Sequence, residues 1–461
     1  MKNVRLASKN LTVSVASLAW PILIGQLAGI ANPVLDTIMV ARFSATDLAA
    51  LAIGASIYVS VYVAFNGVMQ SLTPTFGQMY GAGKFADIGR EVKQGVWLAV
   101  FLSVIGSLIL FFPAPLLSIA KAPPELAEKA TLYLRILAFS LPASLNFLVY
   151  LTLNNAIARP KMVMAIQVSA LFIKVPLNTI FIFGWFGMPA LGGPGCALAT
   201  LCITWFMLTT GWLILKINPF YRFLHLFGTG FALPSWKSLK ELLRLGVPLG
   251  LNYFIEVTSF TFMALFIARI GVDTVAGHQI IANFSTVLYM LPLATANATS
   301  TLVAQSIGAG NILLARQIAF SGQRLAGCIA LFVAINVWFF SEYIVSTYTS
   351  DQAIAANALP LLIFVCCYQF FDSIQVTSAH ILRAYKVVLA PTILYVMTLW
   401  CIGLGGGYIF AFNIFDLDLP SRITGAAGFW FSNGISLVLL AIFLFLLLKK
   451  VEKRAAQQHI T

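Results

Sequence analysis

The sequence predicts an all-α polytopic membrane protein: twelve transmembrane helices forming two parallel six-helix repeats around a central cleft. Three observations carry that prediction. First, 60% of the 461 residues are hydrophobic and only 9% are charged, with a mean hydropathy of +0.92, so no water-facing shell can be assembled. Second, apolar stretches of about 20 residues or more recur from end to end, each long enough to cross a hydrocarbon core about 30 Å thick. They do not alternate apolar with polar, so they read as helices rather than barrel strands. Third, the two halves of the chain repeat one another.

In order, the spans are expected near 14–40, 49–80, 92–113, 131–157, 162–185 and 191–216 in the first half. In the second they are expected near 240–269, 275–308, 313–340, 354–382, 388–412 and 424–448. The longest connection, 217–238, holds Pro219, Pro234 and Lys237 and reads as a cytoplasmic linker, either loop or surface helix. It divides the chain into lobes of residues 1–216 and 239–461. The first apolar segment is too long for a cleavable signal and lacks a small-residue cleavage site, so Met1–Asn10 is expected to be a retained basic tail. Cys196, Cys202, Cys328, Cys366, Cys367 and Cys401 all fall within spans without metal-ligand spacing, as packing residues do.

The net charge of +13 follows the membrane, not a nucleic acid. Loops on the N-terminal side hold 21 of the 28 basic residues, Arg383 among them, the opposite loops hold six, and Lys174 lies inside a span. The positive-inside rule then puts both termini in the cytoplasm, which fits a bacterial inner membrane and an even number of spans.

One register relates the halves. An offset of 227 (248 − 21, 310 − 83) pairs Pro21 with Pro248, Ala41-Arg42 with Ala268-Arg269, Tyr62 with Tyr289 and Gln78 with Gln305. It also pairs Gly81-Ala82-Gly83 with Gly308-Ala309-Gly310, and at a slightly different offset Gly192 and Gly195 are echoed by Gly425 and Gly428. Six helices per repeat is an even number, so both repeats enter from the same side. Bundles paired in this way enclose a central site and alternate its access.

Of fifteen acidic residues, twelve fall at span ends or in loops, Asp47 and Asp351 among them. Asp36, Glu256 and Asp372 fall inside spans. A charge in the bilayer interior costs from about 2.5 to more than 10 kcal/mol, so such groups are rarely kept without a task. They could be neutral, hydrogen-bonded structural groups. The chemistry they suit better is reversible capture of a cation. A carboxyl withdrawn from water holds a proton readily, and with neighbouring oxygens it ligates sodium. The same group attracts an organic cation, and mutually exclusive occupancy by ion and cargo is what antiport requires. Tyr289, Tyr368, Phe260 and Phe284 offer aromatic faces for cation–π contact, or simply pack. Asn32-Pro33 precedes Asp36 and removes one helix hydrogen bond, giving either a hinge at Pro33 or a static bend. Lys174, beside Pro176 and Asn178, is expected to pair with Asp36; the alternative is that it reaches an interface.

Gly81-Ala-Gly83-Lys84 imitates the end of a phosphate-binding loop, but Gln78 and Phe85 stand where Gly and Ser or Thr are required. His225, His278, His380 and His459 lack metal spacing; His278 and His380 are expected to be hydrogen-bonded structural groups. No nucleophile–base constellation is present, so an intramembrane enzyme is not expected.

Asp36-Thr-Ile-Met39, Leu191-Gly-Gly-Pro-Gly-Cys196, Glu256-Val-Thr258, Ala276-Gly-His-Gln279 and Tyr368-Gln-Phe-Phe-Asp372-Ser-Ile-Gln-Val376 resemble the NorM branch of the MATE multidrug and toxic compound extrusion transporters. The likeness covers nearly the whole chain, in order. It implies two six-helix lobes around a cleft and export of cationic amphipathic compounds such as fluoroquinolones, ethidium and acriflavine, driven by Na+ or H+, with antibiotic resistance as the outcome. By the same resemblance Glu256 and Asp372 match the second lobe's cation-site acids, a possible Na+ site, with Tyr368 beside them. Asp36 matches the first lobe's acid, with Asn178 nearby. Asp36, Gln279, Tyr289, Phe260 and Asp351 fall on positions like those that contact drugs. The chain departs from the pattern at Lys174, where some relatives have a neutral Asn. A fixed ammonium there would do the electrostatic work of a bound sodium ion and leave Asp36 to proton or drug exchange. A monomer in the lipid bilayer is expected, with no cofactor and no nucleic-acid partner. The rival reading is a flippase of lipid-linked saccharides in the same superfamily, which should show a strongly basic cleft.

Overall fold

A computed structural model describes residues 10–119, 123–227, 230, 232–415, 420 and 423–458. The basic tail before Asn10, and with it Lys121, Asp416, Asp418, Arg422 and His459, lies outside the described residues.

Twelve helices among the described residues are long and apolar enough to cross a membrane. The first six are α1 (Leu11–Phe43), α2 (Ala45–Gly81), α3 (Phe85–Phe111), α4 (Pro124–Ala156), α5 (Pro160–Phe183) and α6 (Gly193–Ile217). The second six are α7 (Trp236–Ile267), α8 (Val272–Gly308), α9 (Ile312–Phe339), α10 (Gln352–Ala384), α11 (Leu389–Phe412) and α12 (Gly425–Gln457). Hydropathy therefore finds every span. What it does not find are the short helices at Ala114–Ile119 and Ser341–Tyr348, which are a turn or two long. α1 continues through Pro33 without a break. There Asn32 Nδ2 donates to the Ala28 carbonyl at 3.0 Å and Thr37 Oγ1 to the Pro33 carbonyl at 3.0 Å. α11 is wound in wider π-type turns over Val396–Gly406. All six cysteines are free.

The chain packs as two units: Ile24–Gly250, and Leu251–Thr461 with the residues up to Leu23. Each has an apolar core of its own. Met69, Leu72, Phe76, Leu98, Leu134 and Tyr150 are enclosed in the first; Val303, Leu361, Leu382, Phe429, Trp430 and Leu440 in the second. Large apolar side chains such as Phe101, Leu108, Phe139, Phe172 and Phe332 stand more than half exposed on the outside. An apolar exterior of that kind has lipid for its solvent. The connection between α6 and α7 is strapped to the first unit. Pro219–Leu224 forms a 3-10 turn, Tyr221 donates to Asn154 Oδ1 at 2.6 Å, and Trp97 and Gln94 of α3 donate to the carbonyls of Ala232 and Leu233.

The repeat is legible in backbone angles. α2 and α8 end in the same left-handed turn, at Gly83 (φ +71°) and Gly310 (φ +73°). The following amides, of Lys84 and Asn311, close it by donating to the carbonyls of Met79 and Ser306 at 3.0 and 2.9 Å. This is the glycine-capped helix end that L side chains resist, which disposes of Gly81-Ala-Gly83-Lys84 as a phosphate loop. α4 and α10, each of 33 residues, likewise end in matching left-handed residues, Ala158 and Lys386, both at φ +58°.

Candidate functional site

In the first lobe Asp36 is 6% exposed and fully engaged. Lys174 Nζ lies 2.7 Å from its Oδ2, and Asn178 Nδ2 donates to its Oδ1 at 2.8 Å. The expected pairing of Lys174 with Asp36 is thus present. α5 brings Lys174 and Asn178 to the same acid because residues four apart share a helix face. Lys174 makes a second bond, to Thr200 Oγ1 of α6 at 3.1 Å. Beside this pair is a cavity of about 190 Å³, lined by Gly29, Asn32, Tyr58, Tyr62, Ser144, Gln167, Lys174, Thr200 and Thr204 with Phe147, Leu148, Leu151, Ile203 and Met207.

A different acid closes the end of this lobe. Asp47, which the sequence places at a span end, is 4% exposed; it pairs with Lys129 and accepts the Gly193 amide at 3.2 Å. The Leu191-Gly-Gly-Pro-Gly motif is therefore a backbone clasp that begins α6 on a carboxylate. Anions at a helix N-terminus are favoured in just this way.

The second lobe assembles the other two acids. Glu256 of α7 has the Tyr289 hydroxyl of α8 against its carboxyl and Asp372 of α10 within electrostatic reach. Asp372 is 8% exposed and accepts from Gln375 Nε2 at 3.1 Å, while the Tyr395 hydroxyl donates to Gln375 Oε1 at 2.7 Å. Tyr368 stacks on Trp430 at 6.2 Å, and Trp430 Nε1 donates to His278 Nδ1 at 3.1 Å. His278 is thereby held by a hydrogen bond, as expected of a structural group.

Of the drug-contact candidates, Phe260 and Phe284 pack on this lobe's core and Gln279 is exposed on α8. Asp351 caps α10, its Oδ1 accepting the amides of Ala353 and Ile354 at 2.8 and 3.4 Å. Pro33 sits one turn from Asp36, and having no N–H it leaves the Gly29 carbonyl without its helix partner.

Sequence reasoning missed Gln375, Tyr395 and Tyr253, neutral polar residues like many others in the spans. It also misplaced Arg383. Counted among the loop cations, Arg383 lies in the last turn of α10, 8% exposed, its Nη1 3.2 Å from the Tyr253 hydroxyl and 3.1 Å from His380 Nε2. Since His380 Nδ1 faces the Val376 carbonyl at 2.9 Å, Nδ1 must carry the proton and Nε2 accept. A guanidinium can stay this far from water because its long stem and cation–π contact with Tyr253, 5.2 Å to the centroid, shield it. Among the described residues no group of three or more His, Cys, Asp or Glu is placed to hold a metal ion.

Twelve spans in two repeats, with acids buried inside them, define a multi-pass membrane protein of the transporter kind. The MatE family model matches residues 21–180 and 248–409, one match per repeat. The probable multidrug resistance protein NorM of Aromatoleum aromaticum is 37% identical over 95% of this chain and 93% of its own length. The multidrug resistance protein MdtK of Yersinia pseudotuberculosis is 34% identical over 96% of each. Among solved structures, the outward-facing form of a multidrug resistance MATE transporter superposes with a TM-score of 0.88 at 18% identity, covering 99% of both chains. The eukaryotic MATE transporter AtDTX14 gives 0.84 at 19%, covering 97% of this chain and 99% of its own. The protein belongs to the MatE family of secondary transporters.

Proposed function

We propose that this protein is a multidrug efflux antiporter of the bacterial inner membrane, with both termini cytoplasmic, working as a monomer. It exports cationic amphipathic compounds of the fluoroquinolone, ethidium and acriflavine kind in exchange for inward Na+ or H+. The observation that carries this reading is the Glu256–Tyr289–Asp372 cluster. Two carboxyls withdrawn from water and close to one another repel when both are charged, so the pair gains from taking up a cation. A proton satisfies that need. So does sodium, a hard ion that prefers oxygen ligands such as these carboxylates and the tyrosine hydroxyl. An organic cation competes for the same charge, which makes ion entry and cargo exit alternatives at one place. Tyr368 adds a polar group in the same lobe, the first lobe carries a buried acid of its own, Asp36, held by Asn178 and Lys174, and the names of the NorM and MdtK relatives support drug export.

Ethidium efflux from proteoliposomes, with sodium and proton gradients imposed one at a time, tests the reading. At least one gradient is expected to drive uphill export, and replacing Asp36, Glu256 and Asp372 together by Asn, Gln and Asn is expected to abolish it. Undiminished efflux by a correctly inserted triple variant overturns the proposal.

A further inference from the structure

The two repeats furnish the same niche with opposite chemistry. At the offset that pairs Pro21 with Pro248, Glu256 corresponds to Gly29 (256 − 29 = 227) and Tyr289 to Tyr62. α4 and α10 are equally long and end in matching turns, so Asp372 and Ser144, each 14 residues before those turns (386 − 372, 158 − 144), correspond as well. Gly29, Tyr62 and Ser144 all line the cavity of about 190 Å³ in the first lobe. The room exists because a glycine and a serine stand where the second lobe has two carboxylates; a Cβ on Gly29 would meet nothing within 4 Å. Among the described residues no carboxylate lines this cavity, and its one charged wall is Lys174.

We propose that this cavity is a subsite for a carboxylate carried by the exported molecule, and that Lys174 selects for it. The inference rests on the efflux reading above and names a cargo class within it: aromatic compounds bearing a carboxylate, including zwitterions. The Lys174 ammonium has three N–H donors, of which Asp36 and Thr200 take two. A third remains for a ligand oxygen. Lys174 is 2% exposed, and so far from water a charge-assisted hydrogen bond to a carboxylate is strong. Gln167, Asn32, Thr200 and Thr204 add neutral polar groups. Tyr58 and Tyr62, stacked at 5.9 Å and 11°, and Phe147 offer flat walls to a ring system. A permanent cation without a carboxylate would leave the third N–H of Lys174 unanswered.

Rhodamine 110 and its methyl ester, rhodamine 123, share one ring system and differ only in whether the carboxylate is free. Fluorescence anisotropy titrations of both against the purified full-length protein in detergent test the subsite. The wild type is expected to bind rhodamine 110 at least about tenfold more tightly, the effect of one charge-assisted hydrogen bond. Lys174→Gln is expected to bring the ratio to about one, and Lys174→Arg to restore a preference for the free acid. Should Lys174→Gln not fold, Ser144→Leu fills the niche with Lys174 intact and is expected to weaken rhodamine 110 more than the ester. Equal affinities in the wild type, or a preference that survives Lys174→Gln or Ser144→Leu, overturn the subsite. Ethidium efflux by the same preparation reports on the parent reading: efflux without a carboxylate preference sinks the subsite alone. A carboxylate preference without gradient-driven efflux supports the subsite and sinks the antiport reading.

Discussion

Gly192 and Asp47 compete for one space: a Cβ on Gly192 would lie 1.8 Å from Asp47 Oδ2. Gly192 also adopts φ +59°, ψ −130°, a conformation open to glycine and strained for other residues. Gly192→Ala is therefore expected to cost the backbone strain, roughly 1–3 kcal/mol, and in addition to push a buried carboxylate off its amide. Gly425, its counterpart in the repeat, has φ +61° but nothing within 4 Å, so Gly425→Ala should cost the strain alone. Apparent melting temperatures in detergent should fall for both, and further for Gly192→Ala; equal falls would show that the clasp contributes nothing.

Lys174 and Asp36 neutralise each other where water is scarce. Removing one partner leaves the other charge buried, which typically costs about 3–5 kcal/mol, whereas removing both can be nearly neutral. Lys174→Met is thus expected to be markedly less stable than Lys174→Met combined with Asp36→Asn. Thermal denaturation of the two variants side by side checks the order. A double variant as unstable as the single would mean the ammonium is held by packing and not by its counter-charge.

Tyr395 orients Gln375 by donating to its amide oxygen, which leaves the amide nitrogen to face Asp372. Tyr395→Phe leaves that oxygen unpaired at a cost of about 1–3 kcal/mol and frees the amide to turn over. The expected result is a change of roughly tenfold, the equivalent of about 1.4 kcal/mol, in the ion concentration that half-saturates transport. A purely structural role would lower maximal rate or expression and leave that concentration alone.

Asp351 holds two amides at the start of α10. Loss of an N-cap costs about 1 kcal/mol, and Asn or Ser replaces Asp there with little penalty. Asp351→Ala should therefore destabilise modestly while Asp351→Asn remains near wild type in both stability and ethidium efflux. A large efflux defect in Asp351→Asn would instead give its charge a part in handling cargo.

Hydropathy alone located all twelve spans, because length and apolar content are local properties that lipid enforces. What it could not supply was the rotation of each helix about its axis. Lys174 could be paired with Asp36 in advance because a lone ammonium inside a span demands a counter-charge. Gln375 and Tyr395 carried no such demand, since a neutral amide or phenol has many ways to be satisfied. Arg383 was misread because charge counting assumes that cations near span ends face water, and a stacked guanidinium does not have to. Asp47 does stand at a span end, in the first turn of α2, as the sequence places it; what the sequence left out is its burial against Lys129.

The assignment of Leu11–Leu23 to the same compact unit as Leu251 onward, and of Trp236–Gly250 to the other, constrains how the polypeptide can be divided. Severing it in the α6–α7 connection would yield two fragments, neither containing a whole packing unit: one keeps thirteen residues (23 − 10) its sister requires, and the other keeps fifteen (250 − 235) in return. The unit Ile24–Gly250 is one continuous stretch, complete once Gly250 is made, whereas the residues up to Leu23 must wait for Leu251 onward before their unit can close.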